Sequence, residues 1–264
     1  MKICLINLSW YDINTRQINF PMEWGVRAGS RWAHTIKRHI GLGDYIPFPH
    51  YLSIANRLLR SKGHETKIID GVASFLTREQ ITRQIIDFSP AIIFFEVSIP
   101  SLNYDLQYMN YIKKLFPKTD IIIGGLHGIT KETENHFYFE HSFIDNILYG
   151  EYEENLSLIA DGFDINESND LIDMDKLPMP SYEDLPFYNY SSNSLQLKNP
   201  HFNIWSSRGC PFHCKFCILP QVFYHNKIRT YSTERIMDEI KYVNKKFGIK
   251  SVMFDDDCFN YSKK

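Results

Sequence analysis

Short apolar runs alternate with amphipathic stretches from the start of the chain to about residue 160. Lys2–Asn7, Glu65–Asp70, Ala91–Val97, Asp120–Ile123 and Asn146–Tyr149 are too short for helices and read as strands. Between them, Tyr51–Ser61 has helical spacing and stops at Gly63, and Thr77–Phe88 is followed by Pro90. Leu102–Phe116, closed by Pro117, supplies the next crossover, and a fourth helical stretch follows Thr130. This alternation predicts an α/β fold: an N-terminal, doubly wound, five-stranded parallel sheet with helices on both faces. The stretch from Leu8 to His50 is the exception. It is a long loop carrying Trp10, Trp24, Arg27, Arg31, Trp32 and His34, and loops of that length are usually functional or disordered.

Between residues 161 and 200 the composition shifts to Asn, Asp, Ser and Pro, including Leu177-Pro178-Met179-Pro180. Tyr182, Leu185, Phe187, Tyr188 and Tyr190 suit an ordered connector that packs on a neighbouring surface. Beyond it, Asn203–Ser206 reads as a strand, and a cysteine-bearing loop follows. Ser232 can cap a helix whose Ile236, Ile240, Val243 and Phe247 share one face, Gly248 ends it, and Ile249–Phe254 is a second strand. The expected division is therefore 1–160, a connector at 161–200, and a second unit at 201–264.

At 264 residues and 44% hydrophobic, the chain can bury one substantial core and a smaller one. Its 29 basic and 31 acidic residues give a net charge of −2, without the basic footprint that nucleic acid or an anionic membrane requires. A small-molecule substrate is the expected partner. No apolar run reaches the length of a membrane span, and Met1–Asn7 is too short for a signal peptide, so the expectation is a cytoplasmic protein.

Three of the five cysteines fall within Cys210-x-x-x-Cys214-x-x-Cys217. In a reducing compartment such crowding suggests a metal or cluster rather than disulfides. A four-iron cluster normally takes four cysteines, so three leave one iron open to an outside ligand. Gly209 and Pro211 fit a loop that approaches a large inorganic group, and Phe216 would shield one side of it. The alternative is a zinc site completed by His213, His225 or Cys258, although the triplet lacks the paired spacing zinc favours. Cys4 sits inside a strand and reads as a buried core thiol.

The doubly wound pattern alone suits a dinucleotide, a flavin, a receiver domain or cobalamin. The first strand runs into Asn7-Leu8-Ser9-Trp10-Tyr11 with no G-x-G-x-x-G, so the backbone approach that a pyrophosphate needs is missing. Glycines instead follow later strands, at Gly71, Gly124, Gly125, Gly128 and Gly150, where they either admit a broad flat ligand or serve as ordinary turns.

The cysteine spacing, with an aromatic residue before the last cysteine, resembles the radical S-adenosylmethionine (SAM) superfamily. The likeness extends to Phe254-Asp255-Asp256-Asp257-Cys258-Phe259, which looks like the second barrel strand and its ending. The resemblance implies that Cys210, Cys214 and Cys217 hold a [4Fe–4S] cluster that binds and cleaves SAM. It also makes Asp256 and Asp257, which otherwise read as a strand-to-loop turn, candidates for the active-site face. Pro47-Phe48-Pro49, Leu52-x-x-Ala55-x-x-Leu58, Gly63-His64-Glu65, Ile69-Asp70, Ser89-Pro90, Ile122-Ile123-Gly124-Gly125-x-His127 and Tyr149-Gly150-Glu151 resemble the cobalamin-binding domain of B12-dependent radical SAM enzymes. The implied cobalamin contacts are Asp70, Gly71, Ser98, Gly124, Gly125, His127, Gly150 and Glu151. There is no D-x-H-x-x-G, so the resemblance assigns no axial histidine, and His34, His39, His50 and His127 stand as potential donors.

That family implies methylation of an unactivated carbon, with cyclisation or rearrangement as the alternative, and an electron donor such as flavodoxin or ferredoxin. Residues 201–264 would form the first two βα units of a partial TIM-type radical SAM barrel. Such a barrel has six strands in the family, so the expectation is a truncated chain or one completed by a second polypeptide. On that expectation the isolated chain gives no 5′-deoxyadenosine from SAM under reducing conditions. Catalytic amounts, detected by chromatography, would contradict it.

Overall fold

A computed structural model describes residues 1–9, 45–99, 101–165, 171–192, 197–217 and 223–261. Most of the long loop, with Trp10, Trp24, Arg27, Arg31, Trp32, His34 and His39, lies outside them. In chain order the first elements are β1 (Lys2–Asn7), β2 (Tyr45–Ile46), α1 (His50–Ser61), β3 (Glu65–Asp70), α2 (Arg78–Phe88) and β4 (Ile92–Ser98). They are followed by α3 (Leu102–Leu115), β5 (Asp120–Leu126), α4 (Glu134–Glu140), β6 (Asn146–Ile147), α5 (Glu153–Ala160) and β7 (Ser191–Ser192). The last are β8 (His201–Ile204), β9 (Ser207–Gly209), β10 (Ile228–Thr230), α6 (Thr233–Phe247) and β11 (Ser251–Phe254).

The main sheet has five strands in the order β3-β1-β4-β5-β6, all parallel. Alternate residues of each strand face opposite sides, and both sides are covered. Cys4, Ile6, Ile93, Phe95, Ile121 and Ile123 form one face's core with Ile81 and Ile85 of α2 and Met109 and Ile112 of α3. Ile3, Leu5, Phe94 and Ile122 form the other with Leu52, Ala55 and Leu59 of α1 and Leu156 and Ala160 of α5. Burial pushes the Cys4 thiol up to about 12, as suits a packing residue.

Thr77 caps α2 through a reciprocal pair of bonds with Gln80, and Ser232 caps α6 by accepting from the Arg235 N–H. Gly248, at φ +63°, ends α6. Within the main sheet and its helices, β5 and α5 depart furthest from the sequence expectation. The apolar run of β5 stops at Gly124-Gly125, yet both pair with Glu96 and Val97 of β4, so the strand continues to Leu126. Helix α5 was not anticipated. Its eight residues open on Glu153-Glu154-Asn155 and carry too few apolar positions to show a period.

The second assembly is a parallel pair, β8 and β11, crossed by α6, with β9 and β10 as an antiparallel hairpin. The strand expected at Asn203–Ser206 is divided. β8 ends at Ile204 and β9 begins at Ser207, because Asp256 accepts from the Ser206 and Ser207 hydroxyls and the Ser207 N–H at the turn. A third apolar cluster joins the two assemblies: Tyr182, Leu185, Phe187 and Tyr190 pack with Ile46, Phe48, Val72, Phe202, Ile204 and Val243. Phe187 stacks on Phe247 at 3.9 Å, and the buried Tyr182 hydroxyl donates to Glu239. No described helix is long and apolar enough to cross a membrane.

Candidate functional site

The carboxyl ends of β1, β3, β4 and β5 bring Ser9, Asp70, Ser98 and His127 to one edge of the sheet, with Gly150 after β6. Connections turn to opposite faces between β1 and β4, and crevices for ligands in open α/β sheets form at such a switch. Asp70 is buried. It accepts from Asn7 Nδ2 at 3.0 Å, the Ala73 N–H at 3.1 Å and the Tyr190 hydroxyl at 2.8 Å, so it ties β1 and β3 to the connector. Ser98 shapes the turn after β4 by exchanging bonds with Ser101.

The glycines at this edge are close to the chain itself. A Cβ on Gly71 would lie 2.7 Å from Ile81 Cδ1 and 3.0 Å from Ser9 N, and one on Gly124 would lie 2.8 Å from the Phe94 ring. Gly125 has φ +100°, and its Cβ would meet Val97 O at 2.6 Å. Bulk there would strain the sheet whatever ligand lies above it.

His127 is buried, and both ring nitrogens are engaged. Nδ1 accepts from the Ile129 N–H at 3.1 Å, which leaves Nε2 to donate to Leu148 O at 3.0 Å. The ring is thus bonded within the fold, with no nitrogen left for a metal. Burial lowers its pKa and keeps it neutral. His50, also buried, stacks on Trp205 at 4.5 Å.

The three cysteines lie on the connection between β9 and β10. Gly209 opens that connection at φ +98°, where a Cβ would collide with Lys227 O at 2.0 Å. Cys217 N–H closes a turn by donating to Cys214 O at 3.0 Å. Cys214 is exposed, and Cys210 and Cys217 are partly so. Among the described residues no three metal-binding side chains are gathered in ligating geometry. Phe216, expected to shield this loop, is 93% exposed. Phe212 instead meets Tyr261 edge-on at 6.3 Å, so the segment after β11 lies against the loop. That segment brings Cys258, one of the three side chains weighed for completing a zinc site, beside Cys210. His213 and His225 are exposed. Asp256 is buried at the β8–β9 turn described above, and Asp257 lies near enough to Tyr224 to raise its hydroxyl's pKa, after burial itself.

Sequence reasoning missed the arginine just before the loop. Arg208 has no exposed side-chain surface, and its guanidinium lies 3.3 Å from Glu151 Oε1 and 2.7 Å from Glu153 Oε1. It also sits over the Tyr51 ring at 4.4 Å and the Trp205 ring at 5.5 Å. Arg229, opposite Arg208 in the hairpin, holds both Glu151 oxygens, with Nη1 2.9 Å from Oε2. Burial opposes the charge on Arg208, but its acidic neighbours, Glu153 foremost, outweigh that and keep it protonated. The pairing of Gly150-Glu151-x-Glu153 with Ser207-Arg208-Gly209 joins residues far apart in sequence, which no local pattern shows.

No family model matches the chain. It is 27% identical over 223 residues to an uncharacterized methyltransferase of Pyrococcus horikoshii, covering 76% of this chain and 47% of the relative. It is 25% identical over 213 residues to the hopanoid C-3 methylase of Methylococcus capsulatus, covering 73% and 40%. Two solved structures each align with 98% of the chain. One is TsrM of Kitasatospora setae, a radical SAM methyltransferase with tryptophan and a SAM analogue bound (TM-score 0.61, 15% identity, 48% of that protein). The other is OxsB, a cobalamin-dependent SAM radical enzyme with aqua-cobalamin and SAM bound (TM-score 0.58, 17% identity, 34% of that protein). The chain thus spans about half the length, or less, of the relatives it matches. These likenesses bear out the resemblance seen in the sequence and the α/β fold with its parallel five-stranded sheet.

The buried neutral His127 has a testable pH signature. Its folded pKa lies below the ordinary 6.5, so the unfolded chain binds the extra proton first and stability falls as pH drops below about 6.5. His127→Gln should flatten that part of the curve in urea unfolding measured at pH 7.5 and 5.5. An unchanged slope would show that His127 is not held neutral.

Proposed function

We propose that the chain is a B12-dependent radical SAM protein of methyltransferase type, acting on a carbon of a small-molecule substrate. One observation carries this reading: the thiol loop and the strand-end edge of the sheet are joined by buried ion pairs through Arg208, Arg229, Glu151 and Glu153. A methyl carrier on the sheet edge and a SAM-binding cluster on the loop would then face a common substrate space. Methylation is supported by the names of the curated relatives, and cobalamin with SAM by what the solved OxsB structure contains.

The chemistry of the donor set suits a cluster, although the three thiols are not gathered in ligating geometry. Three soft thiol ligands sit on one loop whose backbone Gly209 keeps close to Lys227, and three leave an open metal position. Cys210, Cys214 and Cys217 would hold the [4Fe–4S] cluster, and Asp256 would brace the turn beneath it through Ser206 and Ser207. Asp257, which lies near Tyr224, would face the same side. Cobalamin would lie across the sheet edge formed by Asp70, Gly71, Ser98, Gly124, Gly125, His127 and Gly150, while the Glu151 carboxylate, first read with them, turns to the hairpin arginines. With His127 bonded inside the fold, that edge would support the corrin without a histidine from this position. When bound, the cluster supplies the electron that opens SAM to radical chemistry, and cobalamin supplies a transferable methyl group. The chain's own part would be to hold the two at a fixed separation. We assign 1–160 to cobalamin, 161–200 to the connector and 201–264 to the cluster, with a flavodoxin or ferredoxin as electron donor.

Replacing Cys210, Cys214 and Cys217 together by Ala should reduce iron in the anaerobically reconstituted protein from about four per chain to a background level. Cobalamin binding should survive, because its contacts lie on the five-stranded sheet. Full iron retention in the triple variant would refute the assignment.

A further inference from the structure

We infer that Glu151 is a positioning residue: its carboxylate is the shared counter-ion that fixes the thiol-bearing hairpin to the end of β6, rather than a cofactor contact. For its effect on cofactors, this inference rests on the reading above. The starting point is a conflict inside the hairpin. β9 and β10 pair so that Arg208 and Arg229 stand directly opposite each other, and like charges in that position repel. Glu151 resolves the conflict. Its Oε1 takes Arg208 Nη1 at 3.3 Å and also Arg229 Nη2, and its Oε2 takes Arg229 Nη1 at 2.9 Å. Glu153 takes the other side of Arg208 at 2.7 Å, so two cations meet two anions.

All four groups are withdrawn from water, with side-chain exposures of 0% for Arg208 and Glu153, 3% for Glu151 and 18% for Arg229. In that setting the planar, two-pronged contact to Arg229 fixes orientation as well as distance. Both Glu151 oxygens are engaged by the arginines, so the carboxylate is oriented by the hairpin. Its place in the chain gives the contact consequence. Glu151 follows Gly150, whose φ of +63° turns the chain out of the β6 strand end and whose Cβ would lie 3.4 Å from Phe223 O. Arg208 stands two residues before Cys210, and Arg229 follows the loop on its far side. Both ends of the cysteine loop are therefore tied to one carboxylate on the cofactor edge of the sheet.

The test uses the full chain with Glu151→Gln, which keeps size and removes charge, and Glu151→Gln combined with Arg229→Met, which removes one of the opposed cations as well. Amide hydrogen exchange across residues 206–231 is measured without cofactors. Hydroxocobalamin affinity is measured separately, and electron paramagnetic resonance follows the reconstituted cluster with and without SAM. Glu151→Gln should speed exchange in the β9–β10 hairpin on the order of tenfold while β4 and β5 exchange as before, since the opening is local. Cobalamin affinity should stay within about twofold, and the SAM-induced spectral change should be lost or broadened. The double variant should recover slow exchange, and if the single variant fails to fold, folding of the double variant supports the same conclusion. Unchanged hairpin exchange in Glu151→Gln would overturn the inference, as would a large loss of cobalamin affinity with the hairpin intact. Failure of the wild-type chain to take up iron would defeat the functional reading, while the exchange result would still decide the role of Glu151.

Discussion

The guanidinium of Arg208 is removed from water altogether, and the placement of the thiol loop depends on how that charge is compensated. Compensation comes from Glu151 and Glu153, which stand at the far end of the first sheet, and from the faces of Tyr51 and Trp205. A buried ion pair of this kind adds little net stability compared with an apolar contact, yet removing one partner costs about 3–5 kcal/mol because it strands the other. Such an interaction specifies an arrangement more than it stabilises one. Here the arrangement specified is the cysteine loop against the β6 end.

Apolar packing supplies what the ion pairs do not. The connector threads Tyr182, Leu185, Phe187 and Tyr190 between the β3 end and the β8–α6 layer, and Phe202, Ile204 and Val243 complete the cluster. Two polar links run through the same layer, Tyr190 to Asp70 and Tyr182 to Glu239. The connector therefore acts as a wedge shared by both assemblies, and Asp70 helps seat it. A role for Asp70 near a cofactor would come through the strand end it holds in place.

Much of the sheet was legible from sequence, because a buried parallel strand needs little more than a short apolar run with breakers on each side. Lys2–Asn7 and Glu65–Asp70 match their observed limits, and Thr77, Ser232 and Gly248 mark helix ends through chemistry that is local. The cysteine triplet is read from spacing in the same local way, and its role as a cluster site is the proposal made above. What escaped was non-local. The antiparallel pairing that sets Arg208 against Arg229 spans a long loop, and the choice of Glu151 and Glu153 as partners depends on a turn at Gly150. The glycines were read with a ligand as one option, and a Cβ at Gly71, Gly124 or Gly125 would also meet Ile81, Phe94 or Val97 of the same chain. The exposure of Phe216 likewise follows from no spacing rule.

A thiol loop clamped to the strand ends of a parallel sheet has most of its meaning if one chain carries both of the proposed cofactors. The most direct measurement is metal analysis of the wild-type chain, reconstituted anaerobically with iron, sulfide and hydroxocobalamin and then freed of unbound material. The account predicts about four irons and one cobalt in the same chain, with no stoichiometric zinc. One zinc per chain without iron, or iron without cobalt, would contradict it.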